Sequence, residues 1–272
     1  MTTTCVGDAL LAGWRRAGVE TGMHVIVHSA LSSIGPVEGG PGQVLATLRT
    51  AVGPDGTLAA PAFTPQVADP HPEVRGVPDD DVRARREQVP LFTPGLPSPM
   101  GAVAETLRQA PGAMRSWHPQ ASVAALGARA EEIVSTQPLH FAVGEGSPFD
   151  ALYKLGGFIL LVGVGHNRNS FLHYAESLIA EPRLKQRRFP VLVHGERVWV
   201  ETLDVGDDDD THFPVVGREY EEHADTTSTR VGRARAALLP VQDFVPFASQ
   251  RLAELLKRDD EPSSGESREV SQ

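Results

Sequence analysis

A single cysteine, Cys5, is all the thiol in this chain of 272 residues. That excludes a disulfide framework and a thiolate metal cluster, and no metal is expected. Long hydrophobic runs are missing too. Nothing approaches the ~18 consecutive apolar residues of a membrane span, and the start of the chain lacks a charged-then-apolar leader. The expectation is a cytoplasmic protein without a membrane partner. Positive charge is also short, with 25 Lys and Arg against 35 Asp and Glu and a formal net charge of −10. Without a basic stripe, a nucleic-acid partner is excluded. The acidic balance favours cationic ligands by long-range attraction, or serves solubility alone. Neither a Walker loop nor Gly-x-Gly-x-x-Gly occurs, and the Ser147 segment lacks the Gly-x-Ser-x-Gly of a nucleophile elbow.

What is present suits a core: 40% of residues are hydrophobic, and the 26 Gly and 22 Pro are dispersed among apolar segments. One domain over 1–258 is expected, with a disordered tail over 259–272, where Glu, Pro, Ser and Gly dominate. Periodicity predicts helices over 7–18 (closed by Gly18), 41–52, 100–109, 128–135, 148–155 and 242–258. Strands are predicted over 23–29, 57–63 and 158–162, and a hairpin over 189–193 and 197–204 around His194-Gly195. Ser147 reads as an N-cap. Residues 65–98 have no clear period and read as a long surface loop, functional or mobile. The fold class is therefore α/β: a central mixed β-sheet flanked by helices, with a β-hairpin extension and a C-terminal helix.

Four constellations carry chemistry. After the apolar run 158–162 comes a Gly- and Asn-rich turn and then helical sequence. There His173 and Glu176, three residues apart, share one helical face. Such a pair can be a general base with its carboxylate, and Ser170 lies one turn earlier. The same spacing also suits a core histidine or, less well, a metal ligand. Ser29, Ser32 and Ser33, between a strand end and a helix start, can cradle a phosphate or simply line a turn. Arg115-Ser116 can hold a phosphate or close a salt bridge. The acidic stretch 204–210 can receive a polycation or be a solvated turn. Asp204 is its favoured member and Asp207 the second.

In order along the chain, several blocks agree with one family. They are 27–35 (Val-His-Ser-Ala-Leu-Ser-Ser-Ile-Gly), 53–63, Met100-Gly101, 115–127, 146–149, 163–176, Val231-Gly232-Arg233-Ala234 and 239–243. Together the chain resembles the aminoglycoside 3-N-acetyltransferases of the Antibiotic-NAT type over roughly 7–258. The resemblance implies acetyl transfer from acetyl-CoA to the 3-amino group of a 2-deoxystreptamine antibiotic, in a ternary complex without an acyl-enzyme. It implies His173 as general base, Glu176 as its orienting carboxylate and Ser170 as a holder of the tetrahedral intermediate. The cofactor would lie against His28, Ser29, Ala30, Leu31, Ser32, Ser33 and Ile34, with Arg115, Ser116 and Ser122. The antibiotic would meet Asp204, Asp207, Phe63 and Glu176.

The chemistry is consistent with this. An amine attacks a thioester only when unprotonated, so a base poised near neutrality is required. An anionic cofactor in an acidic chain needs a local cation or helix N-terminus, for which Arg115 and the helix after Ser29 are the candidates. Serine stands at 170 where the family usually has threonine, keeping the hydroxyl, and His166 occupies a position often aromatic or polar. Two alternatives share these residues: acetylation of another amine in natural-product metabolism, or a non-catalytic protein binding CoA or polycations. A monomer or a homodimer is compatible with the sequence.

Overall fold

The computed structural model describes residues 5–206, 211–224, 226 and 228–260. In chain order its strands are β1 (His24–Ser29), β2 (Thr57–Pro61), β3 (Met114–Arg115), β4 (Val123–Gly127), β5 (Phe158–Val162), β6 (Leu184–Val193), β7 (Glu196–Val205), β8 (Ser228–Val231) and β9 (Ala234–Pro240). The helices are α1 (Gly7–Arg16), α2 (Leu31–Ile34), α3 (Gly40–Val52), α4 (Asp80–Gln88), α5 (Ala102–Gln109), α6 (Ala130–Val134), α7 (Pro148–Lys154), α8 (Phe171–Ser177), α9 (Phe213–His223) and α10 (Val241–Asp260).

The apolar strand sequences occupy the middle of one mixed sheet, ordered β3-β4-β2-β1-β5-β9-β8. The pairs β1–β2 and β1–β5 are parallel and the remaining pairs antiparallel. Strands covered on both faces have no polar side to show, so β2 reads Thr-Leu-Ala-Ala-Pro and β5 Phe-Ile-Leu-Leu-Val. Trp14, Leu48 and Leu107 pack one face, from α1, α3 and α5. Phe149, Phe171, Phe213, Tyr220 and Phe244 pack the other, from α7 to α10. β1 runs on through α3 to β2 on one side, while β5 lies on its other side. The carboxyl ends of β1 and β5 thus form a topological switch point, where open α/β sheets leave a crevice.

The second sheet is the hairpin β6–β7. Its turn has positive φ at His194 (51°) and Gly195 (86°), the conformation that closes a two-residue hairpin. The Ser147 cap is present, its Oγ accepting from the amides of Phe149 (3.2 Å) and Asp150 (3.4 Å). The hairpin strands begin earlier than their apolar stretch suggests, because the polar residues after Leu184 pair across the ladder.

Three stretches of chain depart from the sequence reading. The stretch 65–98 is not an unstructured loop. It holds a 3-10 turn at Pro65–Val67 and the helix α4, whose N-cap Asp79 accepts from Val82 N at 2.8 Å. Only Val82 and Arg86 of α4 are buried, so no apolar period marked it. α9, which carries Pro214 and Gly217, and the strands β8 and β9 escaped notice. α9 does carry a helical period, burying Phe213, Val216, Gly217 and Tyr220 at i, i+3, i+4 and i+7, while β9 takes its place by pairing with β5. α10 continues to Asp260, two residues into the segment expected to be disordered, and 261–272 lies outside the described residues.

Candidate active site

Two cavities meet at His173. The first, of about 710 Å³, opens at the switch point and is lined by the end of β1, the turn before α8 and the start of α5. The second, of about 450 Å³, lies between the 63–72 segment and the hairpin. Phe63, Met100 and His173 border both.

His173 is half-buried on α8, edge-on to Phe213 with ring centroids 4.7 Å apart. Gly206 lies against the ring. A Cβ there would stand 2.6 Å from His173 Nδ1 and 3.4 Å from Glu176 Oε2, and its φ of +77° is one that glycine adopts freely. Glu176 is fully buried and held by Arg183, whose Nε donates to Oε1 (2.8 Å) and Nη2 to Oε2 (3.1 Å). The one-face spacing of the two residues is therefore real. As a direct substrate contact Glu176 needs correcting, since it lines neither cavity. Arg183, seven residues on, is its partner, and no motif pointed to it.

Ser170 opens α8 with its hydroxyl uninvolved in capping, and it borders the first cavity. Asn169 does the capping, its Oδ1 accepting from Phe171 N at 3.2 Å. The Asn169 amide also donates to His166 Nδ1 (3.3 Å), and His166 Nε2 donates to Glu221 (3.2 Å). His166 stacks on Phe244, and Gly217 of α9 abuts its ring so closely that a Cβ would fall inside it. His166 is thus a buried peg that fixes the turn before α8.

Among the residues expected around the cofactor, His28, Ser29, Ala30, Leu31 and Ser32 do line the first cavity. Burial, with neighbouring His166, lowers the His28 pKa to about 3 and keeps it neutral. Ser33 and Ile34 do not line it: Ser33 Oγ donates to Gly163 O (3.1 Å), and Ile34 is core. The helix there is only four residues long, too short for much dipole.

Arg115, Ser116 and Ser122 are corrected more fully. All three are buried and line neither cavity. Arg115 donates to Ser122 Oγ (2.9 Å) and to the carbonyls of Ala62 (2.6 Å), Pro94 (3.1 Å) and Leu96 (2.6 Å), and it stacks on Phe92. Ser116 Oγ donates to Gln137 (2.6 Å) and accepts from Val123 N, and Ser122 Oγ donates to Ala62 O. The cluster ties loop 90–98 to the sheet and engages four of the five guanidinium N–H groups within the protein. The cation that does border the first cavity is exposed Arg168, with the N-terminus of α5 opposite it at Met100, Gly101 and Ala102.

The second cavity has Phe63 and Asp204 as expected, plus Asp69, which the sequence did not single out. Arg187 Nε donates to Asp204 Oδ2 (2.9 Å), yet burial still raises that carboxyl's pKa. Burial also pushes on Asp69, but Arg86, donating at 2.9 and 2.7 Å, outweighs it and the pKa falls. Asp207 and the run through Asp210 lie outside the described residues. Among the described residues, no group of three or more His, Cys, Asp or Glu is placed to hold a metal, and no helix is long and apolar enough to cross a membrane.

An imidazole at the junction of two cavities, one with a cation and a helix N-terminus and the other with buried carboxylates, defines a two-substrate transferase on an α/β scaffold. A profile of the aminoglycoside 3-N-acetyltransferases matches residues 26–253. The chain belongs to that family of acyltransferases. An aminoglycoside N(3)-acetyltransferase III from Salmonella sp is 40% identical over 196 residues, covering 70% of this chain and 68% of the relative. The structure of AAC-IIIb in binary complex with CoASH superposes with a TM-score of 0.84 at 29% identity, covering 93% of this chain and 98% of that one. AAC-VIa bound to sisomicin gives a TM-score of 0.82 at 30% identity, covering 93% and 99%.

Proposed function

We propose that this chain transfers the acetyl group of acetyl-CoA to the 3-amino group of a 2-deoxystreptamine aminoglycoside, conferring resistance, by direct transfer in a ternary complex. The observation that carries the reading is His173 at the meeting point of the two cavities. Relatives of the same fold hold CoASH and sisomicin. The first cavity is the donor side. Arg168, the α5 N-terminus and the hydroxyls of Ser29 and Ser32 are suited to the pyrophosphate, as cation and amide donors favour anions there. The second is the acceptor side, where Asp69 and Asp204 offer carboxylates to ammonium groups and Phe63 offers an apolar wall.

At the junction His173 takes the proton of the attacking amine and returns it to the departing thiolate. The pairing of buried Glu176 with half-buried Arg183 fixes the helical turn that carries the imidazole. Ser170, bordering the donor side, donates to the developing oxyanion. Two substrates held side by side need no acyl-enzyme, because positioning itself removes much of the entropic barrier.

The test is CoA release from acetyl-CoA across gentamicin, tobramycin, neomycin, apramycin and a non-aminoglycoside amine, with acetate mapped on the product. Turnover with acetate at N3, abolished by His173→Ala, is expected. No turnover with any deoxystreptamine compound sinks the acceptor assignment, and retained turnover in His173→Ala sinks the base. One observation favours a second reading, a less cationic amine as acceptor: Arg86, Arg187 and Arg188 already engage the two acceptor-side carboxylates. Preference for the simple amine in the same panel would select it.

A further inference from the structure

Three buried histidines surround the sheet, and they differ in one respect. His118 uses both ring nitrogens: Nδ1 accepts from the amides of Gln120 (3.1 Å) and Ala121 (2.9 Å), and Nε2 faces Leu139 O at 3.4 Å. His166 also uses both, toward Asn169 and Glu221. His28 is as buried, 7% exposed, yet neither of its ring nitrogens has a hydrogen-bond partner among the described residues, and Nε2 is sealed from solvent. Leaving a buried polar group unpaired costs on the order of 1–3 kcal/mol, so such groups are rare and call for a reason.

The position supplies one. His28 sits at the carboxyl end of β1, paired in register with Leu161 of β5 at the switch point. It lines the donor cavity together with Ser170 and His173. With Nε2 sealed, only Nδ1 can meet a ligand, and we propose that His28 is a catalytic residue whose Nδ1–H donates a hydrogen bond to the acyl oxygen of the thioester and holds the charge that gathers there. This rests on the acyl-transfer reading above. The electron accounting assigns each group one task. The amine lone pair forms the C–N bond, and the carbonyl π pair moves onto oxygen, where His28 and Ser170 meet it. His173 accepts the amine proton. The C–S bond then breaks as the carbonyl re-forms, and the thiolate leaves with the proton that His173 returns. Burial keeps the His28 imidazole uncharged, and an uncharged imidazole acts as a hydrogen-bond donor without surrendering its proton. One preorganised donor of this kind contributes about 10²–10³ in rate.

The experiment compares the full-length wild type with His28→Leu, His28→Asn and His28→Gln, each checked by thermal melting. With [1-13C]acetyl-CoA bound, a polarised carbonyl resonates downfield of free acetyl-CoA in the wild type. The leucine variant is expected to return the signal to its free position and to lower kcat about 100–1000-fold, while CoASH affinity by calorimetry stays within about 3-fold. The asparagine amide falls near Nδ1 and the glutamine amide near Nε2, so partial recovery of both signals by asparagine is expected, and recovery by glutamine alone would overturn the assignment to Nδ1. The proposal is overturned by an unshifted carbonyl in the wild type, by near-normal turnover in His28→Leu, or by a loss of CoASH affinity as large as the loss in kcat. The carbonyl signal needs no acceptor. Wild type inactive on the antibiotics but with a shifted carbonyl would therefore fault the acceptor assignment and support this one.

Discussion

Gly206→Ala isolates how much the enzyme depends on the seat of His173. Two costs are built into the site. Alanine at φ +77° is in the left-handed region, at about 1–2 kcal/mol. Its methyl would also lie 2.6 Å from Nδ1 and 2.9 Å from Cε1 of His173, so the ring must retreat about 1 Å to reach an ordinary contact near 3.5 Å. Overpacking of this kind adds about 1–3 kcal/mol, and a 1 Å displacement of a reacting group can cost about 10²-fold in rate. Gly195→Ala is the matched control. Its φ is +86°, but nothing lies within 4 Å of the added methyl. Melting temperature and kcat/KM are measured for both. The control is expected to lose a few degrees and keep its activity, since about 1 kcal/mol moves Tm by ~2–4 °C at this size. Gly206→Ala is expected to lose about 5–10 °C and about 100-fold in kcat/KM. Equal activity in the two variants would refute the claim that the Gly206 contact seats the imidazole.

Five further outcomes follow from the same geometry. Arg115→Ala should lower stability by on the order of 3 kcal/mol, because its carbonyl and hydroxyl partners are left buried, with CoASH affinity unchanged. Arg168→Ala should leave Tm alone and raise KM for acetyl-CoA about 10-fold, so calorimetry and kinetics on the pair separate latch from ligand contact. Asp69→Asn, which strands Arg86, should cost about 3–5 kcal/mol in a denaturant melt. Asp204→Asn should chiefly raise the acceptor's KM, and unchanged KM would remove Asp204 from the acceptor side. As to pH, burial lowers the His28 pKa to about 3 and that of His118 to about 4, from the ordinary 6.5 of a free histidine. The unfolded chain therefore binds more protons than the folded one, and the contribution of each is complete above pH 6.5 and lost as pH falls toward those values. At pH 5 the loss is about 2 kcal/mol per histidine, and a stability flat from pH 7 to 5 would contradict the burial of both rings.

Some features were legible in the residues because they are local. The strand Phe158–Val162, the turn after it and the helix bearing His173 and Glu176 are contiguous, and each signal acts within a turn or two of chain. The Ser147 cap and the His194-Gly195 turn depend on their own backbone angles and neighbouring amides, so they too could be read directly. The ordered blocks were enough to identify the family.

Tertiary structure decided what each charged or polar group faces. Arg115 looked like a phosphate ligand, but the fold surrounds it with carbonyls of residues 62, 94 and 96, while Arg168, without any motif of its own, borders the cavity. Asp69 and Asp204, 135 positions apart, line the same cavity. α4 carries little apolar periodicity and holds its place through contacts made elsewhere in the chain. Sequence by itself determined the local backbone, the side-chain chemistry available and the family. Which hydroxyl, guanidinium or imidazole remains open to a substrate depends on desolvation and on partners brought from distant segments, and only the packed molecule sets those.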